Sequence, residues 1–241
     1  MHDAFLYIVT FIAALITLIA GFGLATILTP VFTLSFDVKL SILLVAIIHF
    51  FNNAFKLSLF WKSIDVNIIK RFGILSIIGA LAGAFLQSYL FTDVLKSILG
   101  IVLIALGVAE FTPASISFRF PKKIDMIGGF FSGFLGGLVG NQGAIRSAFL
   151  LNYEIAKETY IATATIIALL IDVTRIPVYF VTQRSNVSSI PLWDVLFLIL
   201  IAFLGTLAGK RILKYFSSVL FKKIVAGFVI LIGITFTCHL I

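Results

Sequence analysis

Residues 137–152 read "GLVGNQGAIRSAFLLN". Two amides and a guanidinium, Asn141, Gln142 and Arg146, stand among glycines in the middle of a long apolar run. In hydrocarbon an unpaired backbone N–H or C=O is expensive, so a helix breaks there only where protein or a water-filled cavity receives the freed groups. Glycine permits the tight turn. A helix restarting after the turn presents unsatisfied N–H groups and the positive end of its dipole, which favours an anion. Arg146 follows Gly143 by about one helical turn and adds a cation to the same place. Asn141 and Gln142 can donate to an oxyanion and also accept from the broken backbone. The stretch reads as half of an anion-binding pocket.

That reading needs a bilayer, and the composition supplies one. Of the 241 residues, 61% are hydrophobic and 12% are charged, and the mean hydropathy is +1.19. A soluble domain is about a quarter charged. The expected fold class is an all-α polytopic integral membrane protein. The net charge of +8 does not point to nucleic acid, because the basic residues fall in short gaps between apolar runs. Cys238 is the single cysteine, which rules out an internal disulfide and a CxxC pair. No cofactor is expected. Residues 4–20 resemble a signal-peptide core, but "MHD" carries no basic n-region and the apolar run continues to Phe36, so a membrane segment is expected.

Eight apolar segments emerge: 4–36, 40–61, 72–91, 94–111, 124–152, 158–181, 191–213 and 218–240. Two are too long for one plain crossing. The first is interrupted by "GFG" (21–23) and Pro30, the second by the glycines at 136–137, 140 and 143. They open two related halves. "GALAG" at 79–83 answers "GTLAG" at 205–209, an offset of 126, and Lys96/Lys222 and Gly107/Gly233 share it. "NAFK" (53–56) answers "DVTR" (172–175) at an offset of 119. The expected organisation is a first repeat over 1–112, a cytoplasmic linker over 113–123 and a second repeat over 124–241.

Basic residues then bear on topology. Eight single crossings would put seven of them on one side and eight on the other, which orients nothing. If each broken segment instead enters and returns, twelve lie on the cytoplasmic side: Lys62, Lys70, Arg71, Arg119, Lys122, Lys123, Lys157, Lys210, Arg211, Lys214, Lys222 and Lys223. Three stay outside: Lys39, Lys96 and Arg184. Each half then has a re-entrant first segment and three crossings. Three is odd, so the halves insert with opposite orientation, as an inverted repeat.

The counterpart of the opening stretch is "GFGLATILTP" (21–30), with Gly21 and Gly23 at the turn and Thr26 and Thr29 as hydroxyl donors. Asn53, Lys56 and Arg175 add polar and cationic groups inside apolar helices, and His49 and Asp172 are the candidate proton carriers. Each has a plainer reading beside it. Glycines can serve close packing alone. Arg146 can snorkel to the interface, and so can Lys56, five residues before Trp61. Asp172 and Arg175 can form an internal i,i+3 ion pair. His49 can be a hydrogen-bonded structural histidine.

The chain resembles the sulfite exporter TauE/SafE family. The resemblance spans nearly the whole chain and rests on "GFGLATILTP", on "VAIIHFFNNAFKL" (45–57) and on "GGFFSGFLGGLVGNQGAIRSAFLL" (128–151). It implies a multi-pass permease of the cell membrane that moves sulfite, organosulfonates or related small organic anions. The residues agree in kind, since helix N-termini and cations at depth suit an oxyanion. There is no GxxxxGK[ST] loop for ATP-driven pumping. The expected function is a secondary transporter working by alternating access, driven by a gradient with a proton or sodium ion as the candidate coupling ion, or running as facilitated diffusion. An anion channel, a non-transporting membrane subunit and an intramembrane enzyme are the competing classes; scattered His2, His49 and His239 speak against a metal enzyme. The two-half design and small-residue helix faces allow a homodimer.

Overall fold

The computed structural model describes residues 2–20, 23–111, 121–150, 152–183, 192–212 and 218–240. Gly21, Arg119, Arg184, Lys214 and most of the linker lie outside them. The described residues form helices and turns with no strand. In chain order they are α1 (His2–Ala20), α2 (Leu24–Thr33), α3 (Val38–Phe60), α4 (Val66–Ile68), α5 (Ile74–Tyr89), α6 (Thr92–Phe111), α7 (Asp125–Val139), α8 (Gly143–Leu150), α9 (Lys157–Thr182), α10 (Leu192–Ile212) and α11 (Ser218–Thr237). A π-helical turn, Ile69–Gly73, joins α4 to α5. Five stretches are long and apolar enough to cross a bilayer: Val38–Ser63, Val66–Tyr89, Thr92–Phe111, Lys157–Thr182 and Leu192–Arg211. Leu24–Thr33 is a shorter apolar helix. Phe85, Ile101, Phe131 and Leu200 are among many large apolar side chains facing outward, as a lipid-facing surface requires.

Both long segments break. α1 ends at Ala20 and α2 starts at Leu24; α7 ends at Val139 and α8 starts at Gly143. Pro30 does not interrupt its segment, contrary to the sequence expectation. It sits inside α2, fully wrapped by protein, where every residue of the helix is buried. Neighbouring elements in a membrane bundle can re-satisfy the backbone group a proline frees, so the helix continues. Pro177 is likewise inside α9.

Some helix boundaries are spaced by the same offsets as the sequence matches. Leu24 and Gly143 open α2 and α8, and Val38 and Lys157 open α3 and α9, each pair 119 residues apart. α6 and α11 run Thr92–Phe111 and Ser218–Thr237, 126 apart at both ends.

Glycines set the closest helix contacts. A Cβ on Gly79 or Gly83 of α5 would strike the carbonyl oxygens of Phe130 or Phe134 of α7; one on Gly133 or Gly137 would strike those of Ser76 or Ala80. α5 and α7 therefore lie parallel with backbones touching. Gly205 and Gly209 of α10 meet the carbonyls of Phe11 and Leu15 of α1 in the same manner. "GALAG" and "GTLAG" are thus packing seams. α6 and α11 pack antiparallel: a Cβ on Gly100 would lie 2.6 Å from the oxygen of Gly233, and one on Gly107 2.9 Å from that of Ala226. α3 and α9 also meet antiparallel, His49 touching Asp172 near the middle of both and Asp65 N, just past the end of α3, donating to Thr163 Oγ1 (2.9 Å) nearer the start of α9.

Candidate functional site

The two helix breaks meet at the centre. A Cβ on Gly143 would sit 3.5 Å from both Cα and N of Gly23. The N-terminal ends of α2 and α8 therefore converge. Gly23 caps α2 in extended conformation without a side-chain capping bond.

The carboxyl end of α7 is held by side chains. Gly140 turns the chain at φ +82°, in the left-handed region that glycine adopts freely. The carbonyl of Gly136 accepts from Gly140 N (3.1 Å) and from Arg175 Nη1 (2.6 Å). The carbonyl of Gly137 accepts from the Tyr179 hydroxyl, and that of Leu138 from Gln87 Nε2 (3.2 Å). The last carbonyls of a helix lack intrahelical partners. Buried in a bilayer they must find others, and α9 and α5 supply them. A cation at a helix C-terminus also complements the dipole.

A cavity of about 680 Å³ lies beside the converged breaks. Small-molecule sites span roughly 300–1,000 Å³. Gly23 and Thr26 line it from α2, His49, Asn53 and Lys56 from α3, and Arg146 and Ser147 from α8. Leu24, Leu106, Leu150 and Ile161 make its apolar wall. It extends to Glu110 at the end of α6 and to Lys157 at the start of α9. Lys157 and Ala109 there are exposed, so solvent reaches it from that end of the bundle.

Two cations face this cavity from depth. Lys56 is 5% exposed and Arg146 9% exposed, so neither has snorkelled into bulk water. Arg146 Nη1 donates to Gln142 Oε1 (3.3 Å), and its Nε has no partner among the described residues.

Behind the wall runs a buried polar network. His49 Nδ1 donates to Asp172 Oδ2 at 2.6 Å. Asn53 Nδ2 lies 3.1 Å from His49 Nε2, the ring acceptor of the neutral tautomer that donates through Nδ1. Gln142 Nε2 donates to Asp172 Oδ1 (3.3 Å), and Arg175 Nε donates to the same oxygen (2.9 Å). Arg175 Nη2 lies 2.8 Å from Asp172 Oδ1, and both side chains are fully buried. Gln142 thus links the cavity arginine to the buried carboxylate, while Ser132 donates to its carbonyl (2.9 Å) and holds the α7–α8 turn.

Of the residues singled out in the sequence, Gly23, Thr26, His49, Asn53, Lys56 and Arg146 come together on one cavity. Gln142, Asp172 and Arg175 form the network behind it. Gly143 packs on Gly23. Asn141 is 2% exposed, and both its amide atoms lack a partner among the described residues. Tyr160, whose hydroxyl donates to Ser147 Oγ (2.8 Å), Thr165, Thr17 and Glu110 also line the cavity. Sequence reading missed the threonines because hydroxyl residues in membrane helices commonly bond their own backbone, as Thr17 bonds the Ala13 carbonyl, and missed Tyr160 and Glu110 because they stand near segment ends.

At the end of the bundle where the cavity reaches Lys157, Tyr153 ties three elements together. Its hydroxyl donates to Asp125 Oδ2 at the start of α7, and Lys122 Nζ lies 4.9 Å from its ring centroid. Burial, and then the Asp125 carboxylate, push its phenol up to about 12, with Arg71 opposing.

A model of the family described as sulfite exporter TauE/SafE matches residues 6–236. The match covers nearly the full chain, and the chain belongs to that family. No curated protein and no solved structure matches it.

Proposed function

From membership in this family of membrane transporters, we propose that the chain is a secondary transporter for small anions. The proposed substrates are sulfite, organosulfonates or related organic anions. The observation that carries the reading is the sharing of one solvent-reachable cavity by Lys56, Arg146 and the convergent N-terminal ends of two half-helices. Helix N-termini and a guanidinium lining the cavity match the several acceptor oxygens of an oxyanion. The apolar wall of Leu24, Leu106 and Ile161 leaves room for an organic substituent. The family members are transporters rather than enzymes.

We also propose an inverted-repeat architecture, with repeats at 1–112 and 124–241. Reciprocal packing supports it. At the 126-residue offset Ala226 is the counterpart of Gly100, and Gly233 of Gly107; Gly100 packs on Gly233 and Gly107 on Ala226. Counterpart helices that touch antiparallel and reciprocally are related by a two-fold axis perpendicular to them, which in a bilayer lies in the membrane plane. The cavity then opens to the cytoplasm, and the carrier resides in the cell membrane. His49 and Asp172 are the proposed proton-coupling pair, since they connect the cavity wall to the buried network.

Flux of labelled sulfite, sulfate and ethanesulfonate into proteoliposomes tests the reading. Saturable uptake by the unaltered chain, abolished in Lys56→Ala/Arg146→Ala with the fold intact, is expected. Uptake indifferent to both substitutions would remove the anion from this cavity.

A further inference from the structure

The two halves share their sequence register but not their packing. At the 119-residue offset, Ala144, Ser147, Ala148, Tyr160 and Ile161 correspond to Ala25, Leu28, Thr29, Ser41 and Ile42. The first five line the cavity, and all of them are partly or fully exposed. Their counterparts are shut away: Ala25 is 3% exposed and Leu28, Thr29, Ser41 and Ile42 are 0% exposed. The cations follow the same division. Lys56 faces the open cavity, while its counterpart Arg175 is buried against Asp172 and the carbonyl of Gly136.

The closed half nevertheless keeps the chemistry of a site. Thr29 Oγ1 and both amide atoms of Asn141 are buried without a partner among the described residues. They sit where the chain turns at Gly140: a Cβ there would lie 3.3 Å from Thr29 Oγ1 and 3.5 Å from Arg175 Nη1. Leaving buried polar atoms unpaired is costly. An alternate state in which those atoms are solvated or bind a ligand recovers that cost.

We propose that Arg175, Thr29 and Asn141 form a second anion half-site, closed in this structure, which opens on the opposite face of the membrane when the Lys56–Arg146 cavity shuts. The proposal rests on the transporter reading above. In the state described, Arg175 caps the broken helix α7 while Lys56 is released to the anion. In the alternate state the two exchange tasks. Lys56 then closes on the carboxyl end of α1, where Thr17, the counterpart of Gly136, already lines the same cavity. Arg175 is freed to meet the anion from the other side. Each cation alternates between a helix C-terminus and the substrate, so with the anion bound neither is buried and unpaired in either state.

The test uses the full chain with Cys238→Ser, so that introduced cysteines are unique. Ala148→Cys reports the open cavity, and Thr29→Cys and Ser41→Cys report the closed half. Right-side-out and inside-out vesicles are treated with a membrane-impermeant maleimide, with and without ethanesulfonate. Ala148→Cys is expected to react from one face only. Thr29→Cys and Ser41→Cys are expected to react from the opposite face, at about a tenth of that rate or less, as a minor conformer requires. Ethanesulfonate is expected to slow all three several-fold. Labelling of the Thr29 and Ser41 variants from the same face as Ala148, no labelling in variants that still transport, or protection at Ala148 alone would each overturn the proposal. Flux by the Cys238→Ser parent is read separately. Its absence overturns the transporter reading itself, whatever the labelling pattern.

Discussion

His49 Nδ1 lies 2.6 Å from Asp172 Oδ2, and this bond joins a residue of the cavity wall to a carboxylate already paired with Arg175. Asn53, Lys56 and Arg146 surround His49 on the cavity side, and Gln142 and Arg175 reach the carboxylate behind it. A glutamine at position 49 can keep a hydrogen bond to Asp172 but cannot take up a proton. In His49→Gln, accumulation of anion driven by a pH gradient is expected to vanish while anion-for-anion exchange continues. Gradient-driven accumulation that survives the substitution would move the coupling proton, or the coupling ion, to another site.

Arg146 is the guanidinium that lines the cavity. Hydrogen bonds to charged groups contribute about 1.5–3 kcal/mol, so Arg146→Ala should weaken apparent anion affinity roughly 10- to 100-fold. Arg146→Lys keeps the charge and loses the planar fork, and should recover only part of that affinity. Concentration dependence of ethanesulfonate uptake measures both. Equal affinity in all three proteins would mean that Arg146 only steadies Gln142.

The parallel seam between α5 and α7 leaves no room at Gly133, where an added Cβ meets the Ser76 carbonyl. Gly133→Ala should cost about 1–3 kcal/mol through forced backbone displacement, seen as a fall of several degrees in thermal unfolding in detergent. Gly227, in α11, has nothing within 4 Å of the corresponding point. Gly227→Ala should therefore be neutral, or slightly stabilising through helix propensity. Matching effects at the two positions would refute the close backbone contact.

Tyr153 has its phenol pushed up to about 12, by burial first and by Asp125 next. A raised folded-state value favours the neutral phenol in the folded protein. Its stabilising contribution is complete below the ordinary value near 10 and is lost as pH rises toward about 12. The phenolate absorbance difference between the unaltered protein and Tyr153→Phe should appear near pH 12. Tyr153→Phe should lose less stability than its parent between pH 10 and 12. A difference spectrum centred near pH 10 would contradict the burial of this hydroxyl.

Much of the architecture is legible in the residues because its signals are local. Apolar runs mark segments, and glycines mark where a segment breaks, since hydrocarbon leaves backbone groups so few alternatives. "GNQG" locates the α7–α8 break and "GFG" the α1–α2 break. Pro30 misleads because a proline's effect depends on what can replace the bond it removes, and α2 is enclosed by protein on every side. "GALAG" and "GTLAG" announce packing, but only the assembled helices reveal that α5 receives α7 and α10 receives α1.

By itself the sequence determined a multi-span helical membrane protein with a glycine-marked break in two of its apolar segments, because those features depend on hydropathy and backbone chemistry within a few residues. Tertiary structure decided which polar groups share a cavity. Lys56 and Arg175 occupy the same register in their halves, each three residues after a polar side chain. One lines a cavity, and the other is locked onto Asp172 and the Gly136 carbonyl. No local pattern separates them. The difference lies in how the helices close on one another in the assembled bundle, which no local stretch of sequence encodes.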